Sequence, residues 1–381
     1  MHKTVIVASH AVFTPEGVPL HGAGSSVEQF LKNEKVTDFL YIKNPIVGSF
    51  PTHIDGRIDA KPYSRRIEGT VPGLLPVRYA REFVSIYKTV RALKRKMALF
   101  IGIDPLNALY GITLKRLGLV DNVIFYTADY AVQRFENPVM NAIYHAIDRH
   151  AAKHSERVWN VSSRITDMRT EQGLPSSKNR MVPNSPAFDA VPRLPYSKIR
   201  RKDMVIVSSS PTAVDMPLVF NAVARLKEKH KDMRVIAIGM SNWGDQFSEM
   251  IQKLRIEKNV MFSGSVSHAE LQKILCASGI GLALYTNQSP WSYYSDSMKV
   301  RDYLACGLPT LVTDVTSTAK DVKESDAGYV VNLTLEELVS DLDTLLTDEK
   351  VYKRMREHAI ELARKYDIKN ILDTELRPFI S

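Results

Sequence analysis

The sequence has little cysteine and no long apolar run. Its 381 residues include two cysteines, Cys276 and Cys306, which are too few for a disulfide framework and indicate a reducing compartment. The first apolar run, within residues 1–9, is too short for a secretion signal, and no segment approaches the roughly 20 apolar residues that span a bilayer. We therefore expect a cytoplasmic protein whose membrane contact, if any, is peripheral, on the inner face of the cytoplasmic membrane.

Two signatures of cofactor binding are also missing. The glycine-bearing loop after the first predicted strand, residues 9–24, lacks the full dinucleotide fingerprint, so the sequence does not predict NAD binding. No group of histidines and carboxylates has the spacing of metal ligands. We predict no cofactor and no metal.

Positive charge is abundant. The formal net charge is +9 and the pI is near 9.3. Such a balance is typical of proteins that meet phosphates, carried by nucleotides, nucleic acid or an anionic membrane surface.

Strands and helices alternate along most of the chain, which predicts parallel sheets covered by helices. A proline-containing stretch with little apolar periodicity, residues 186–201, is interpreted as a linker. It separates a first domain, residues 1–185, from a second, residues 202–366, and the tail 367–381 is expected to pack back on the first. Residues 44–76 are rich in proline, glycine and charge and are interpreted as an irregular excursion.

One predicted helix, residues 77–97, is both amphipathic and basic. Aromatic and aliphatic residues recur every three or four positions. The other faces carry the basic side chains Arg78, Arg81, Lys88, Arg91, Lys94, Arg95 and Lys96. The helix either packs on the sheet with a solvated basic face or lies on an anionic membrane.

The most informative stretch is residues 295–309. Asp296 or Ser297 can cap the start of a helix, and Gly307 is typical of a helix end. The first turn would combine free backbone N–H groups, the positive end of the helix dipole and Lys299. This pattern predicts a site for a phosphate or diphosphate, and an ordinary well-capped helix is the alternative.

These features together resemble a known family. Residues 259–271, 281–285 and 297–309 follow in the order found in the donor-binding half of GT-B glycosyltransferases, including the family 4-type enzymes. The resemblance implies an α/β fold of two Rossmann-like domains whose parallel sheets face each other across a cleft. It also implies that the N-terminal domain binds the acceptor and the C-terminal domain binds a nucleotide sugar.

Several motifs resemble one branch, the membrane-associated glucuronosyltransferases of xanthan assembly. They are Ser9-His10 with Thr14-Pro15, the Tyr-Thr-Ala-Asp sequence at 126–129, Tyr285 and the Ser-Met-Lys sequence at 297–299. The resemblance implies that Asp129 is the catalytic base, with a role in the turn after the strand as the alternative. It further implies that Tyr285, Ser297, Met298 and Lys299 hold the uridine diphosphate.

Further candidates for substrate or nucleotide binding are His10, Ser209, Ser210, Met240, Val266 and Asp302. Asp302 lies one turn after Lys299 and either accepts hydrogen bonds from ribose or sugar hydroxyls or pairs with Lys299. Ser209 and Ser210 either line the diphosphate pocket or cap the next helix. His10 either binds substrate or is an ordinary loop histidine.

We therefore expect a metal-independent glycosyltransferase that moves a sugar from a nucleotide donor, UDP by resemblance, to a glycan or polyprenyl-linked saccharide. Asp129 would act as base in an inverting reaction and Lys299 would offset charge on the leaving diphosphate. Nucleic acid is not an expected partner. The alternatives are a sugar-nucleotide epimerase, an inactive scaffold or a retaining enzyme, although the retaining families carry two glutamates where this chain has Tyr294 and Asp302.

Overall fold

The computed structural model describes most of the chain. The described residues are 3–14, 17–19, 22–34, 36–46, 50–68, 75–208, 210, 212–239, 243–286 and 292–380. They form two compact units, one containing the residues up to Asn184 and those from Lys369 onward, the other spanning Ser185–Ile368.

The first unit is built around an eight-stranded sheet in the order β4-β3-β2-β1-β5-β6-β7-β8. Its strands are β1 Val5–Ala11, β2 Phe39–Pro45, β3 Thr52–Ile58, β4 Lys61–Ile67, β5 Met97–Ile103, β6 Val120–Thr127, β7 Arg157–Asn160 and β8 Asn179–Met181. Its helices are α1 Ala23–Asn33, α2 Leu75–Ala92, α3 Pro105–Arg116, α4 Pro138–His154 and α5 Ser163–Glu171. Strands β2, β1, β5, β6, β7 and β8 pair in parallel, whereas β3 pairs antiparallel with β2 and β4 pairs antiparallel with β3. The carboxyl ends of β1, β5 and β6 therefore lie side by side at one edge of the sheet.

The prediction that residues 44–76 are irregular was wrong for β3 and β4. These strands form a hairpin whose turn residues, Asp59 and Ala60, have φ values of 51° and 61°. Such left-handed turns match the twist of paired strands. Most side chains of β4 are exposed and several are charged, as is usual at a sheet edge, so the strand lacks an apolar pattern that the sequence could reveal.

Helix α2 is shorter than predicted, because it ends at Ala92 and Met97 already belongs to β5. Two members of its predicted basic face are not free in solvent. Arg78 binds Glu82 at 3.0 Å, and Arg95 binds the buried carboxylate of Asp38 at 3.1 Å. The apolar side of the helix packs on the sheet, as the core-helix interpretation requires.

The second unit has a fully parallel six-stranded sheet in the order β11-β10-β9-β12-β13-β14. Its strands are β9 Arg200–Val207, β10 Arg234–Ile238, β11 Val260–Ser263, β12 Ser278–Ala283, β13 Thr310–Val312 and β14 Gly328–Val330. Its helices are α6 Met216–Leu226, α7 Trp243–Leu254, α8 His268–Ala277, α9 Met298–Cys306, α10 Thr318–Glu324, α11 Leu335–Thr347 and α12 Glu349–Lys365. Apolar clusters on both faces of the sheet form the core.

The segments at the start and just past the end of the second unit pack in different places. Residues 186–201, interpreted as a linker, contain the 3-10 helices Phe188–Ala190 and Tyr196–Lys198, and Val191 is buried in the core of the second unit. The last helix, α13 Ile368–Ile380, belongs almost entirely to the first unit, where Glu375 accepts a hydrogen bond from the Trp159 indole. No helix in the described ranges is long and apolar enough to cross a membrane.

A buried ion pair holds the first unit together near the end of β6. The Arg169 guanidinium of α5 binds both carboxylate oxygens of Asp148 in α4, at 2.5 and 2.6 Å. Both side chains are almost fully buried, and Arg169 also contacts Thr127 at 3.3 Å. A charge in such a place is tolerated only with its partner.

We expect Asp148→Ala to destabilise the first unit by about 3–5 kcal/mol, because it leaves the Arg169 cation buried and unpaired. Urea unfolding, monitored by circular dichroism, measures the loss of stability. The control is Asp167→Ala, which removes an exposed carboxylate from α5 and should change stability by less than about 0.5 kcal/mol. Equal stability of the two variants would contradict a structural role for the pair.

Candidate functional site

Helix α9 begins where the sequence predicted an anion site. Ser297 is the cap, since its Oγ accepts a hydrogen bond from the Val300 N–H at 3.3 Å, and Gly307 ends the helix with φ 78°. The N–H groups of the first turn therefore point out of the helix start, with the positive end of its dipole.

Asp296, the other predicted cap, has a different role. It binds the buried guanidinium of Arg301 at 2.8 Å, and Asp321 of α10 binds the same group at 2.7 Å. Burial by itself lowers the pKa of Arg301, but the two carboxylates outweigh this and raise it. The segment before α9 is thereby fastened to α10.

Tyr285 also holds the cap in place. Its hydroxyl lies 2.8 Å from the Ser297 Oγ, and burial raises the pKa of Tyr285 to about 12. Tyr285 lies two residues after the end of β12, so this hydrogen bond joins the chain just past the central strand to the start of α9.

A cavity of about 560 Å³ opens at this helix start. It is lined by Ser210, Thr212, Ala213, Tyr285, Thr286, Ser292, Ser295, Asp296, Ser297, Met298, Lys299 and Thr316. The structure thus brings together five residues that the sequence had assigned to substrate binding or catalysis: Ser210, Tyr285, Ser297, Met298 and Lys299. The hydroxyl-bearing residues Thr212, Thr286, Ser292, Ser295 and Thr316 were missed, although their places after strand ends and before helices were a usable signal.

Lys299 supplies the positive charge of the cavity. Its ammonium lies 5.9 Å from the centroid of the Tyr285 ring, and burial lowers the pKa of Lys299. Among the described residues it has no carboxylate within ion-pair distance. A partly desolvated cation without an anion is suited to bind one from solution.

Asp302 does not pair with Lys299, so that alternative of the prediction was wrong. Burial raises the pKa of the Asp302 carboxyl to about 7, and in the described part of the chain it has no hydrogen-bond partner. Asp302 is not among the residues that line the cavity. A desolvated carboxyl is destabilising in the free protein, which marks it as a candidate for ligand binding.

Three other predicted residues are not part of this arrangement as described. Ser209 and Met240 lie outside the described residues. Val266 packs against the core of the second unit and is not among the residues that line the cavity.

In the first unit, three polar residues lie at the carboxyl ends of neighbouring strands. His10 lies within β1, Asp104 follows β5, and Asp129 follows β6. His10 is therefore not the loop histidine that the sequence suggested as one alternative. In parallel sheets this edge is where ligands bind.

His10 is held by carboxylates on both ring nitrogens. Its Nδ1 lies 2.6 Å from Asp104 and its Nε2 lies 3.0 Å from Glu82 of α2. Burial lowers the pKa of His10, but the two carboxylates raise it to about 10. The ring is thus an imidazolium that donates both N–H groups, so it positions its neighbours and has no nitrogen left for a substrate.

Asp104 was not found from the sequence. It has a φ of 81°, which is unusual for a residue other than glycine, and its Oδ1 caps α3 by accepting from the N–H groups of Leu106 and Asn107. The available signal was an Asp-Pro pair directly after a buried strand. Backbone strain of this kind persists where surrounding contacts impose it, often near functional sites.

Asp129 is accessible and paired. Its side chain is 52% exposed and binds the Arg134 guanidinium at 2.7 Å. The cap of the following helix α4 is Asn137 rather than Asp129. The carboxylate therefore lies at the edge of the sheet, reachable from solvent and oriented by one arginine.

The second unit carries a family signature. Residues 198–362 match glycosyl transferases group 1. This match covers the cavity at α9 and leaves the first unit outside it.

Curated relatives match over part of the chain. A chitobiosyldiphosphodolichol beta-mannosyltransferase from Yarrowia lipolytica is 26% identical over 141 residues, which are 36% of this chain and 30% of that protein. Glucosyltransferase 3 from Streptococcus gordonii is 32% identical over 123 residues, 30% of this chain and 36% of that protein. The chain thus spans about a third of the length of these relatives.

Solved structures match over the whole chain. Sucrose-phosphate synthase from Thermosynechococcus elongatus has a TM-score of 0.67 at 12% identity, covering 99% of this chain and 98% of its own. HepE from Anabaena, solved in complex with UDP, has a TM-score of 0.66 at 12% identity, covering 98% of both chains. A UDP-N-acetylglucosamine 2-epimerase, described as putative, from Listeria monocytogenes has a TM-score of 0.64 at 12% identity, covering 99% of this chain and 97% of its own.

These likenesses confirm the predicted fold class, GT-B with two α/β units and parallel sheets. At this level of identity they establish the fold alone, because transferases and an epimerase share it.

The raised pKa of Asp302 gives a test of its environment. The ordinary pKa of the group is 3.8, so between 3.8 and about 7 the folded protein binds a proton that the unfolded chain does not. Asp302 therefore lowers stability progressively as pH rises through this interval. In the absence of ligand, we expect the free energy of unfolding of Asp302→Asn to exceed that of the wild type by about 1–3 kcal/mol at pH 8. This difference should narrow towards pH 5.

Chemical denaturation at pH 5, 6, 7 and 8 measures this gap. Glu257→Gln, at an exposed position of the same unit, serves as control and should show no such pH dependence. A gap for Asp302→Asn that stays constant with pH would show that the carboxyl ionises normally.

Proposed function

We propose that the protein is a glycosyltransferase that transfers a sugar from a nucleotide donor to a glycan or lipid-linked saccharide. The observation that carries this proposal is the cavity at the start of α9, inside the segment that matches glycosyl transferases group 1. The positive end of the helix dipole and Lys299, which has no carboxylate partner among the described residues, both favour an anion there. We assign donor binding to the second unit and acceptor activation to the first.

The donor in this proposal is a UDP-sugar. The diphosphate would accept hydrogen bonds from the first turn of α9 and from cavity hydroxyls such as Ser210 and Thr212. The UDP bound to HepE supports this choice of nucleotide. The resemblance to the xanthan branch supports a hexosyl or glucuronosyl group and a role in polysaccharide biosynthesis.

Asp302 is assigned to hydroxyl recognition. A carboxylate without a partner among the described residues can accept hydrogen bonds from ribose or sugar hydroxyls, which would replace the hydration it loses on burial. Ligand binding would then recover the stability that the carboxyl costs the free protein.

In the proposed chemical step, Asp129 activates the acceptor and Lys299 stabilises the leaving group. Asp129 would take the proton from the acceptor hydroxyl while its oxygen attacks the anomeric carbon, and the bond from that carbon to the diphosphate breaks. Lys299 and the α9 dipole would stabilise the negative charge that develops on the leaving diphosphate, so the reaction is proposed to need no metal or cofactor. Arg134 keeps the Asp129 carboxylate oriented until the acceptor arrives.

Direct displacement by a base-activated hydroxyl inverts the anomeric centre. Asp129 is therefore tied to an inverting mechanism, and a retaining mechanism remains the alternative within the transferases. An acceptor on a polyprenyl lipid would place the reaction at the inner face of the cytoplasmic membrane.

A panel of nucleotide sugars, followed by chromatography of the products, separates the function classes. Transfer or slow release of the sugar supports a transferase, an epimerised nucleotide sugar supports the epimerase, and no turnover with retained binding supports a scaffold. Only the first result agrees with the proposal.

We expect Lys299→Ala to weaken UDP binding by about tenfold to a hundredfold, the effect of losing one charge-assisted contact. Isothermal calorimetry with UDP measures the affinity. The control Lys323→Ala removes an exposed lysine of α10 and should leave the affinity unchanged. Wild-type affinity in Lys299→Ala would remove the lysine from the site.

We expect Asp129→Asn to lower the rate of transfer by at least about 10²-fold with UDP affinity preserved, because asparagine keeps the shape but cannot take a proton. The matched control is Glu136→Gln, which changes an exposed carboxyl seven residues away. NMR of the product should show a β-linkage from an α-linked donor. A normal rate, or retention of configuration, would refute the role of Asp129 as base.

A further inference from the structure

Three helices of the first unit form one layer. Ile86 of α2, Leu114 of α3 and Ala151 of α4 pack in a single core cluster with residues of β1 and β5, so the three helices cover the same face of the sheet. Helix α3 lies against α4 and contacts α2 through Tyr110, whose hydroxyl donates to the Tyr79 carbonyl. The outward side of this layer is called here the helical face.

The helical face presents no carboxylate from its own helices. In residues 76–92, 105–116 and 138–154, all of them described, the acidic residues are Glu82 and Asp148. Glu82 is 6% exposed and bound by His10 and Arg78, and Asp148 is 1% exposed and bound by Arg169. Both negative charges are therefore buried and neutralised.

The exposed charged side chains of the three helices are therefore basic. The exposed ones are Arg81, Lys88 and Arg91 on α2, Arg116 on α3, and Arg149 and Lys153 on α4. The positions on α2 are separated by seven and three residues, so they lie along one side of the helix. The nearest exposed acidic residue in sequence is Glu136, two residues before α4.

Exposed aliphatic residues lie among these charges. They are Val77 and Val84 on α2, Val139 and Ile143 on α4, and Val132 in the loop before α4, with exposures of 45% to 66%. Those on α4 occupy its first two turns, which begin at the edge of the sheet that carries Asp129. The aliphatic end of the helical face thus lies beside the proposed catalytic base.

We infer that the helical face docks on an anionic membrane surface, with its aliphatic residues in the headgroup region and its basic residues on the lipid phosphates. Charge complementarity decides the partner: helices that expose several Lys and Arg side chains and no carboxylate of their own are attracted to anionic lipid. Exposed valine and isoleucine gain from lipid and gain nothing from a nucleic acid backbone. Docking by several helices replaces the single-helix contact that the sequence suggested.

Because the aliphatic end of the helical face lies next to Asp129, docking would bring the proposed base close to the membrane. A saccharide carried on a membrane lipid would be presented at the edge of the sheet where the proposed base lies. In this respect the inference rests on the proposed function, whereas the binding itself does not depend on catalysis.

The test is flotation of the full chain with vesicles, in the absence of nucleotide sugar. Vesicles of phosphatidylcholine with phosphatidylglycerol are compared with pure phosphatidylcholine, at low and high salt. One variant combines Arg81→Glu with Lys88→Glu, and a second combines Val139→Ser with Ile143→Ser. The matched control, Lys253→Glu with Lys258→Glu, makes the same change in charge at exposed positions of the second unit.

We expect the wild type and the control to bind the anionic vesicles at low salt, and the charge-reversal variant to bind at least about tenfold more weakly. The serine variant should also bind more weakly, and its deficit should persist at high salt, where apolar contacts dominate. Circular dichroism confirms that each variant is folded.

Three outcomes would overturn the inference. They are no binding of the wild type to anionic vesicles at low salt, equal loss in the control, and binding to a single-stranded oligonucleotide but not to vesicles. Transfer to a soluble acceptor is measured separately, so a failure of docking and a failure of the proposed function give different results.

Discussion

The buried guanidinium of Arg301 is the interaction on which the site of the second unit depends. It joins Asp296, in the segment before α9, to Asp321 in α10, and a cation buried this deeply requires both carboxylates. The ion pairs fix the segment that carries the cap Ser297, and the cap fixes the start of α9. Lys299 and the free N–H groups of the helix are thereby directed at the cavity before any ligand binds, which lowers the entropic cost of binding.

The charges of the protein fall into two classes. Buried ionisable groups such as Arg301 and His10 have opposite charges at hydrogen-bond distance, as the desolvation penalty demands. Lys299 and Asp302 do not: each is partly buried, and neither forms an ion pair with the other or with another described residue. Their desolvation makes the free protein less stable than it could be, and a ligand that offers an anion and hydroxyl groups would remove both penalties.

Most of the fold could be predicted because the central strands of parallel sheets are continuous apolar runs and the helices between them begin at recognisable caps. The hairpin β3–β4 was missed because an exposed edge strand has no apolar side to detect, as its charged residues around Arg66 show. Helix α3 was missed because it is packed on several sides, so its buried residues do not form a single stripe.

The sequence by itself determined the start of α9, the lysine in its first turn and the placement of Asp129 after a buried strand, since caps, turns and strand ends are set by neighbouring residues. Only the tertiary structure decided which charges are neutralised. Asp296 and Arg301 are close in sequence, but Asp321 reaches them through packing, and His10 meets Glu82 and Asp104 only because β1, α2 and β5 are neighbours in the fold. The availability of a charged group depends on burial and on distant partners, and these exist only once the chain has folded.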